Sequence, residues 1–495
     1  MPLPVNSQEW IKVLSAKLEE QARRVTNYEI YYEGKQTANL SLMSTVRYQE
    51  FFYNMFKSVS DNWMPIVVDA VDERLLVQGF RMTKDTKGDD EAWKFWQYNN
   101  FDIHSKALFT SILSCGIAYV MVWHSGDSDY PVLLTAEHAN EVYVAVDYQT
   151  GIRVAAIKKW KDEWSGEERV NLYFPDRIEK WIKIKGQTDY SPLFGEEVIP
   201  NPLGKVPIVP FRNRINLKRD SWCSEIHDVM STQDQINKLV MDLLISSEFG
   251  AFRQRWATGL DVPVDKETGK PVQMFQAAID RMWATGDPGV TFGEFSATDL
   301  GNFVRAIENR VQSLASRSRT PAHYLLGQSG TFPSGETLKA TETGLIAKVK
   351  RHQLEYDDPL EETVRLGFAV MGDSRSKIRD SEVIWGDPES RTESEHIDAT
   401  VKKLALDIPL EQLWLDAGYT VTQIQRFWQM MKEEKAIRAA MGLLPPEGAN
   451  QGQASNNGAP NGSEAPSAGS DGSDGRDVPA AASRGTGARS EGGTP

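Results

Sequence analysis

The residue types that ordinarily carry catalysis occur in this chain without the spacing that catalysis needs. No G-x-S-x-G elbow, Walker A loop, H-E-x-x-H helix or C-x-x-C pair is present. Gly269–Lys270 has no glycine five residues before it and runs straight into Pro271, so its backbone cannot cradle a phosphate. The seven histidines never fall at i, i+3 or i, i+4, which removes a metal pair on one helical face. Asp471, Asp474 and Asp477 share the composition of a calcium loop but neither its spacing nor its closing glutamate. The expectation is a chain with no catalytic residues, no metal ligands and no cofactor. A hydrolase assembled from distant residues has nothing in the sequence to motivate it beyond chain length.

One constellation suits nucleic acid. The stretch PLEQLWLDAGYTVTQIQRFWQM, within residues 409–431, has the form of a helix-turn-helix, turning at Ala417–Gly418, with the second helix from about Thr420. Thr422, Gln425 and Arg426 would then be the base readers. An ordinary helical hairpin fits the same pattern. The second helix continues into KEEK, which offers no excess of positive charge to meet phosphates, and that favours the hairpin.

The totals narrow the class further. With 495 residues and 40 % hydrophobic content, the chain can fill two or three ordinary cores. A formal net charge of -14 argues against tight, non-specific binding to nucleic acid. Cys115 and Cys223 are the only cysteines, so a disulfide framework is not expected and a reducing compartment is. The start, MPLPVNSQEW, lacks the charged-then-apolar pattern of a signal peptide. The uncharged run Ala107–Trp123 reaches the lower length limit for a membrane span, but Gly116 splits it. It reads better as a helix over 105–114 followed by a strand over Ile117–Trp123, and no membrane association is expected.

These residues need elements to hold them. Trp10, Leu14 and Leu18 predict an opening amphipathic helix, followed by a turn at Tyr31–Lys35. Val67, Val68, Val71 and Leu75 predict a helix that Gly79 ends, and Trp93 and Trp96 another. From Ile117 to Phe211 the pattern turns to antiparallel hairpins, with strands at Val142–Val146, Ile152–Trp160 and Arg169–Phe174. A helix over 224–252 and another over 297–317 flank a β-rich insert, which is bracketed by the tetrapeptide WATG at Trp256–Gly259 and Trp283–Gly286. The segment Gly327–Ser334 is uncharged and rich in glycine and serine, and a helix follows from Gly335. To Asp357 that helix is roughly 35 Å of rod. Asp358 and Pro359 predict a kink or a restart there. The rod bears a small-residue stripe (Ala340, Gly344, Ala347) and a larger apolar one (Leu338, Leu345, Val349, Tyr356), which suits packing on two sides, as between neighbouring subunits, better than the alternative of a core helix buried in a large monomer. A last helical cluster covers 392–441. Beyond Leu444 no aromatic occurs, and such a composition predicts a disordered tail.

Several long stretches resemble the portal proteins of tailed bacteriophages, in the siphovirus-type group common among phages of actinobacteria. They are NYEIYYEGKQ, DERLLVQGF, AWKFWQYNNFD, NPLGKVPIVPFRNR, SEIHDVMSTQDQINKLVMDLLISSEFGAFRQRWATG and RTPAHYLLGQSGTFPSGETLKATETGLIAKVK, in the family's order across residues 25–440. The resemblance implies an α+β multi-part portal fold. Its β-rich wing would be residues 1–223, and its helical stem 224–252 and 296–319 around a small β-rich clip at 253–295. A tunnel-loop region at 320–335 would follow, then a long kinked helix returning to the wing over 336–391. A helical crown at 392–444 and the tail at 445–495 complete it.

The same resemblance implies a homo-oligomeric ring, usually of twelve subunits, at one capsid vertex of the virion, assembled in the host cytoplasm. Double-stranded DNA would pass through it during packaging and ejection. The implied partners are the packaging terminase, the major capsid and scaffolding proteins, and head-completion adaptor proteins. Gln328, Ser329, Gly330, Thr331 and Phe332 would be the tunnel loop facing DNA. Arg305 and Gln312 would line the channel from the stem. Lys266, Glu267, Thr268 and Lys270 would form the clip's docking surface.

Overall fold

The computed structural model describes residues 4, 6–36, 61–82, 88–187, 189–195, 198–218, 221–251, 255–259, 288–295, 299–326, 335–389, 393–419 and 421–441. Two compact units divide at Met430–Met431, and the sheets and cores lie in the first.

Helix α1 (Ser7–Tyr32) starts where the Asn6 side chain accepts the Glu9 amide, and it buries Ile11, Leu14, Leu18, Val25 and Tyr28 at helical spacing. It carries on through Tyr31 and Tyr32. The expected turn therefore begins only at Glu33, with Gly34 at φ +68°. Helix α2 (Met64–Asp72) stops well before Gly79. The Lys106 ammonium donates to the carbonyls of Asp72 at 2.7 Å and Leu75 at 2.6 Å, supplying the partners that the last turn of a helix lacks. Gly79 instead lies inside strand β1 (Val77–Arg81), at a register shift in its pairing with a strand some three hundred residues later. A glycine in a strand marks such a bulge, so the expected helix stop is corrected.

Helices α3 (Asp90–Tyr98) and α4 (Phe101–Cys115) follow as expected. Gly116, at φ +89°, turns α4 directly into β2 (Ile117–His124). A Cβ there would stand 2.7 Å from the backbone of Cys223 and Ser224, so both the conformation and the close approach require glycine. Strand β2 pairs on one side with β3 (Val132–Glu137) and on the other with β10 (Ile208–Arg212), both antiparallel. Between them the chain builds a second antiparallel sheet from β4 (Val142–Val146), β5 (Arg153–Lys161), β6 (Glu168–Tyr173), β7 (Arg177–Lys183), β8 (Ser191–Pro192) and β9 (Val198–Pro200). The hairpins read from alternation are present. Ala155, Ile157, Val170 and Leu172 of this sheet pack beneath Ile11, Leu14 and Leu18 of α1.

After a single 3-10 turn at His227–Val229 comes α5 (Met230–Ala251). Strands β11 (Arg255–Thr258) and β12 (Thr291–Glu294) form an antiparallel ladder, and α6 (Gly301–Ser318) and the one-turn α7 (Ala322–Leu325) follow. Helix α8 (Gly335–Val370) runs through Pro359 without a restart. Asp358 is 93 % exposed and caps nothing. Proline costs one backbone hydrogen bond, but Tyr356, Leu360, Val364 and Phe368 continue one buried stripe across it, and that burial outweighs the loss. Strand β13 (Glu382–Trp385) then closes on β1. Helices α9 (Glu393–Leu404), α10 (Leu410–Asp416) and α11 (Val421–Ala440) end the described chain. The largest core joins α2, α3, α4, β1 and β2 to the buried face of α8.

Candidate functional site

Helices α5 and α6 leave and return from the β-rich insert as an antiparallel pair. Arg317 donates to Thr232 Oγ1 at 3.1 Å and Arg310 to Gln235 Oε1 at 3.4 Å, so the end of one helix meets the start of the other. Along α6, Val311 and Leu314 are buried, with Ile307 packed against the same core. The opposite face of α6 is a row of exposed polar residues, Asn302, Arg305, Asn309, Gln312 and Ser316. Both stem candidates, Arg305 and Gln312, fall in this row, and the exposed Glu308, three residues after Arg305 and four before Gln312, borders it. Asp299, just before the helix, lies 3.9 Å from Arg305.

The root of the insert is the β11–β12 ladder. Its Trp256 ring lies so close over Gly293 that a Cβ there would meet the indole at 2.3 Å. Gly259, at φ +81°, ends β11, so the first WATG is a strand end with a turn glycine. The second WATG lies outside the described residues. So do the clip candidates Lys266, Glu267, Thr268 and Lys270, the loop candidates Gln328, Ser329, Gly330, Thr331 and Phe332, and the tail from 445.

The rod's two stripes take different roles. Leu345, Val349 and Tyr356 are buried within the chain's own core, whereas Ala340, Gly344 and Ala347 are exposed in one row. On the buried side, Lys348 and His352 enter the core with the apolar stripe. The Lys348 ammonium lies 2.7 Å from Glu225 Oε1 and donates to the Ser318 carbonyl at 2.8 Å. His352 Nε2 lies 3.3 Å from Glu225 and Nδ1 3.6 Å from Glu355, while its ring stacks along Tyr356. Burial alone would lower the His352 pKa, but the two carboxylates raise it. Burial alone would raise that of Glu225, but Lys348 and His352 hold it well below the usual range. The network joins the rod to the end of α6 and the entry to α5. Sequence reading missed it because Glu225 is distant. The visible signal was a lysine and a histidine set four apart inside an apolar stripe.

The helix-turn-helix form at 409–431 exists in outline. Gly418, at φ +93°, turns the chain between α10 and α11, and Trp414 meets Phe427 and Trp428 edge-on. Thr422, Gln425 and Arg426 are exposed, but Gln425 donates to the Asp90 carboxylate, next to Asp89 and Glu91. Asp89 and Glu91 are paired with Arg375, and Gln425, held by the Asp90 carboxylate, is not free to read a base edge, which favours the plain hairpin.

Among the described residues, Glu29, Cys115 and His138 come within metal-ligand reach of one another. The Asn140 amide donates to His138 Nδ1, so Nε2 carries the proton and faces Glu29 Oε1 at 3.0 Å. Burial pushes the Cys115 thiol up to about 11. With a protonated imidazole nitrogen and a protonated thiol facing inward, the trio acts as a polar tie between α1, α4 and the end of β3.

The model of one family, described as phage portal protein, SPP1 Gp6-like, matches residues 11–435. The chain belongs to this portal family. Named relatives of this portal chain include the portal protein of Mycobacterium phage D29, 27 % identical over 444 residues, covering 86 % of this chain and 88 % of the relative. The portal protein of Mycobacterium phage L5 is 28 % identical over 399 residues, covering 77 % and 79 %. Solved structures with a remote likeness are the virion of a native gene transfer agent particle (12 % identity, TM-score 0.35, 71 % of this chain and 84 % of that one) and the neck of the same particle type computed with C12 symmetry (13 %, 0.37, 72 % and 88 %).

Proposed function

We propose that this portal-family chain assembles into a ring of about twelve copies around a DNA channel at one capsid vertex, serving packaging, head-tail connection and ejection. The observation that carries the reading is the antiparallel α5–α6 pair, which leads into and out of the β11–β12 ladder at one end and bears an exposed polar face of mixed charge along α6. A surface lining a DNA path must hold few unpaired cations, or the duplex would stick. In this reading Arg305 and Gln312 face the lumen. Gln328, Ser329, Gly330, Thr331 and Phe332 form the constriction, able to make weak contacts to phosphate. The insert, with Lys266, Glu267, Thr268 and Lys270 in its loop, docks the packaging terminase and later the head-completion proteins. The body, residues 1–223 and 336–391, meets capsid and scaffolding proteins. The chain is structural rather than enzymatic, and motive power comes from a separate ATPase. Assembly takes place in the host cytoplasm.

Electron microscopy of the purified full chain is expected to show rings with a central hole. A monomer that persists at high concentration overturns the reading. Deleting Gln328–Phe332 should leave the rings intact and impair DNA packaging or retention. If rings fail to form, the segment is structural. The second reading, a sequence-specific DNA binder, requires binding to a defined duplex that Arg426→Ala abolishes.

A further inference from the structure

Two exposed tyrosines from different elements stack on the surface beside the β10–β2–β3 sheet. The rings of Tyr98, at the end of α3, and Tyr130, in the turn before β3, lie with centroids 3.7 Å apart and planes 13° apart. The stack is fixed from both sides. The Asn99 side chain accepts the Leu134 amide at 3.0 Å and donates to the carbonyls of Val132 at 3.0 Å and Phe95 at 2.7 Å. It thereby ties the end of α3 to β3, the edge strand of that sheet. In the turn, the Ser125 amide donates to the Pro131 carbonyl at 2.9 Å and the Ser125 hydroxyl to the Tyr130 carbonyl. Tyr98 and Tyr130 are 39 % and 49 % exposed, so the outer side of the pair meets water. Two carboxylates share this ledge. Asp127 Oδ1 accepts the Asp129 amide at 2.9 Å, and both aspartates are exposed. Among the described residues neither forms an ion pair, and Lys94, one turn before Tyr98 on α3, pairs with neither. The Tyr98 pKa is raised, first by desolvation and then by the charges of Asp127, Tyr130 and Asp129, which places both carboxylates close to the ring.

We propose that the Tyr98–Tyr130 stack, with Asp127 and Asp129, is a docking surface for an arginine-bearing basic segment of a partner protein. The charge and ring faces of the ledge select that occupant. An aromatic face attracts a cation through its quadrupole, and a guanidinium lies flat on such a face while its fork reaches a carboxylate. Hydrogen bonds between two ionised groups are the stronger ones, and two exposed carboxylates without a cation of their own supply the acceptors. The same carboxylates repel a phosphate backbone, so nucleic acid does not fit the ledge. Stack and turn are already held before binding, which lowers the ordering cost of association. A lone exposed aromatic lacks this construction. Trp164, 97 % exposed beside Glu163 in the β5–β6 turn, has no ring stacked on it among the described residues.

The test follows binding of a fluorescein-labelled tetra-arginine peptide to the full-length chain by anisotropy at physiological salt, with tetra-lysine and tetra-serine peptides alongside. Tetra-arginine should bind more tightly than tetra-lysine, and tetra-serine should not bind. Tyr130→Ala should weaken tetra-arginine binding about fivefold, whereas Tyr130→Phe, which keeps the ring face, should bind as wild type does. Asp127→Asn should weaken it by about the same factor. Glu163→Gln removes the same charge at another turn and should leave binding unchanged. Thermal unfolding of each variant is measured beside it, and Asp127→Asn, on an exposed turn, decides the matter if Tyr130→Ala fails to fold. The surface is overturned if tetra-arginine does not bind. It is overturned too if Asp127→Asn and Glu163→Gln weaken binding equally, which would mean attraction to net negative charge alone. If Tyr130→Ala leaves peptide binding intact and instead abolishes self-association, the ledge belongs to a contact with a second copy and the proposal falls.

Discussion

At the scale of single residues, the most consequential group is the buried network of Glu225, Lys348 and His352. Replacing Glu225 with Gln leaves two cations facing an uncharged amide inside the core. Such a loss costs about 3–5 kcal/mol, to be read by urea denaturation. The pH dependence has a definite sign. The Glu225 pKa is depressed from its ordinary 4.5, so its contribution is present above that value and is lost as pH falls through the lower folded one. The His352 pKa is raised from 6.5, so its contribution is present below that value and is lost as pH rises through the higher folded one. The penalty of Glu225→Gln should therefore be largest between the two ordinary values and shrink on either side. A penalty flat from acid to alkaline pH would mean that the network carries no linked protons. Little of this was legible beforehand. Lys348 and His352 stand within the span of the apolar stripe, and only the fold brings the distant Glu225 against them.

At the scale of elements, α8 shows which rules of local sequence hold and which yield. Asp358–Pro359 is a sound N-terminal signal, yet the helix passes through it because its buried stripe continues from Tyr356 to Phe368. Gly79 likewise carried a helix-stop signal and became a strand residue beside a register shift, because only the pairing with β13 decides its role. The exposed row Ala340, Gly344 and Ala347 invites close approach by a neighbouring subunit. A Cβ on Gly344 would meet nothing within 4 Å, so the free subunit has room for a larger residue. Gly344→Leu should leave the subunit as stable or up to about 1 kcal/mol more so, glycine being the poorer helix former, and block ring formation. Gel filtration beside thermal unfolding checks this, and intact rings would place the row elsewhere than at a subunit contact.

At the scale of the whole molecule, chain closure organises the first unit. Strand β13 pairs with β1 across most of the chain, placing Phe80 opposite Val383, and Arg81 forms an ion pair with Glu382. A carboxylate introduced at Val383, which is 5 % exposed, has no partner in that core. Val383→Asp should cost about 3 kcal/mol or more and open tryptic cleavage at Arg81, visible by mass spectrometry. Unchanged digestion would mean that β1 is held without β13. The sequence by itself determined the helices with strong apolar periodicity, the hairpins of alternating valines, the turn at Gly116, and the order of helix, insert, helix, uncharged segment and rod. These follow from local spacing, because a period of 3.6 or 2 commits a face to burial wherever the rest of the chain lies. Only the tertiary structure decided the β1–β13 pairing, the unbroken α8, the Glu225 network and the Tyr98–Tyr130 stack. Each depends on groups far apart in sequence, and whether a buried charge is tolerated depends on partners that no local pattern specifies.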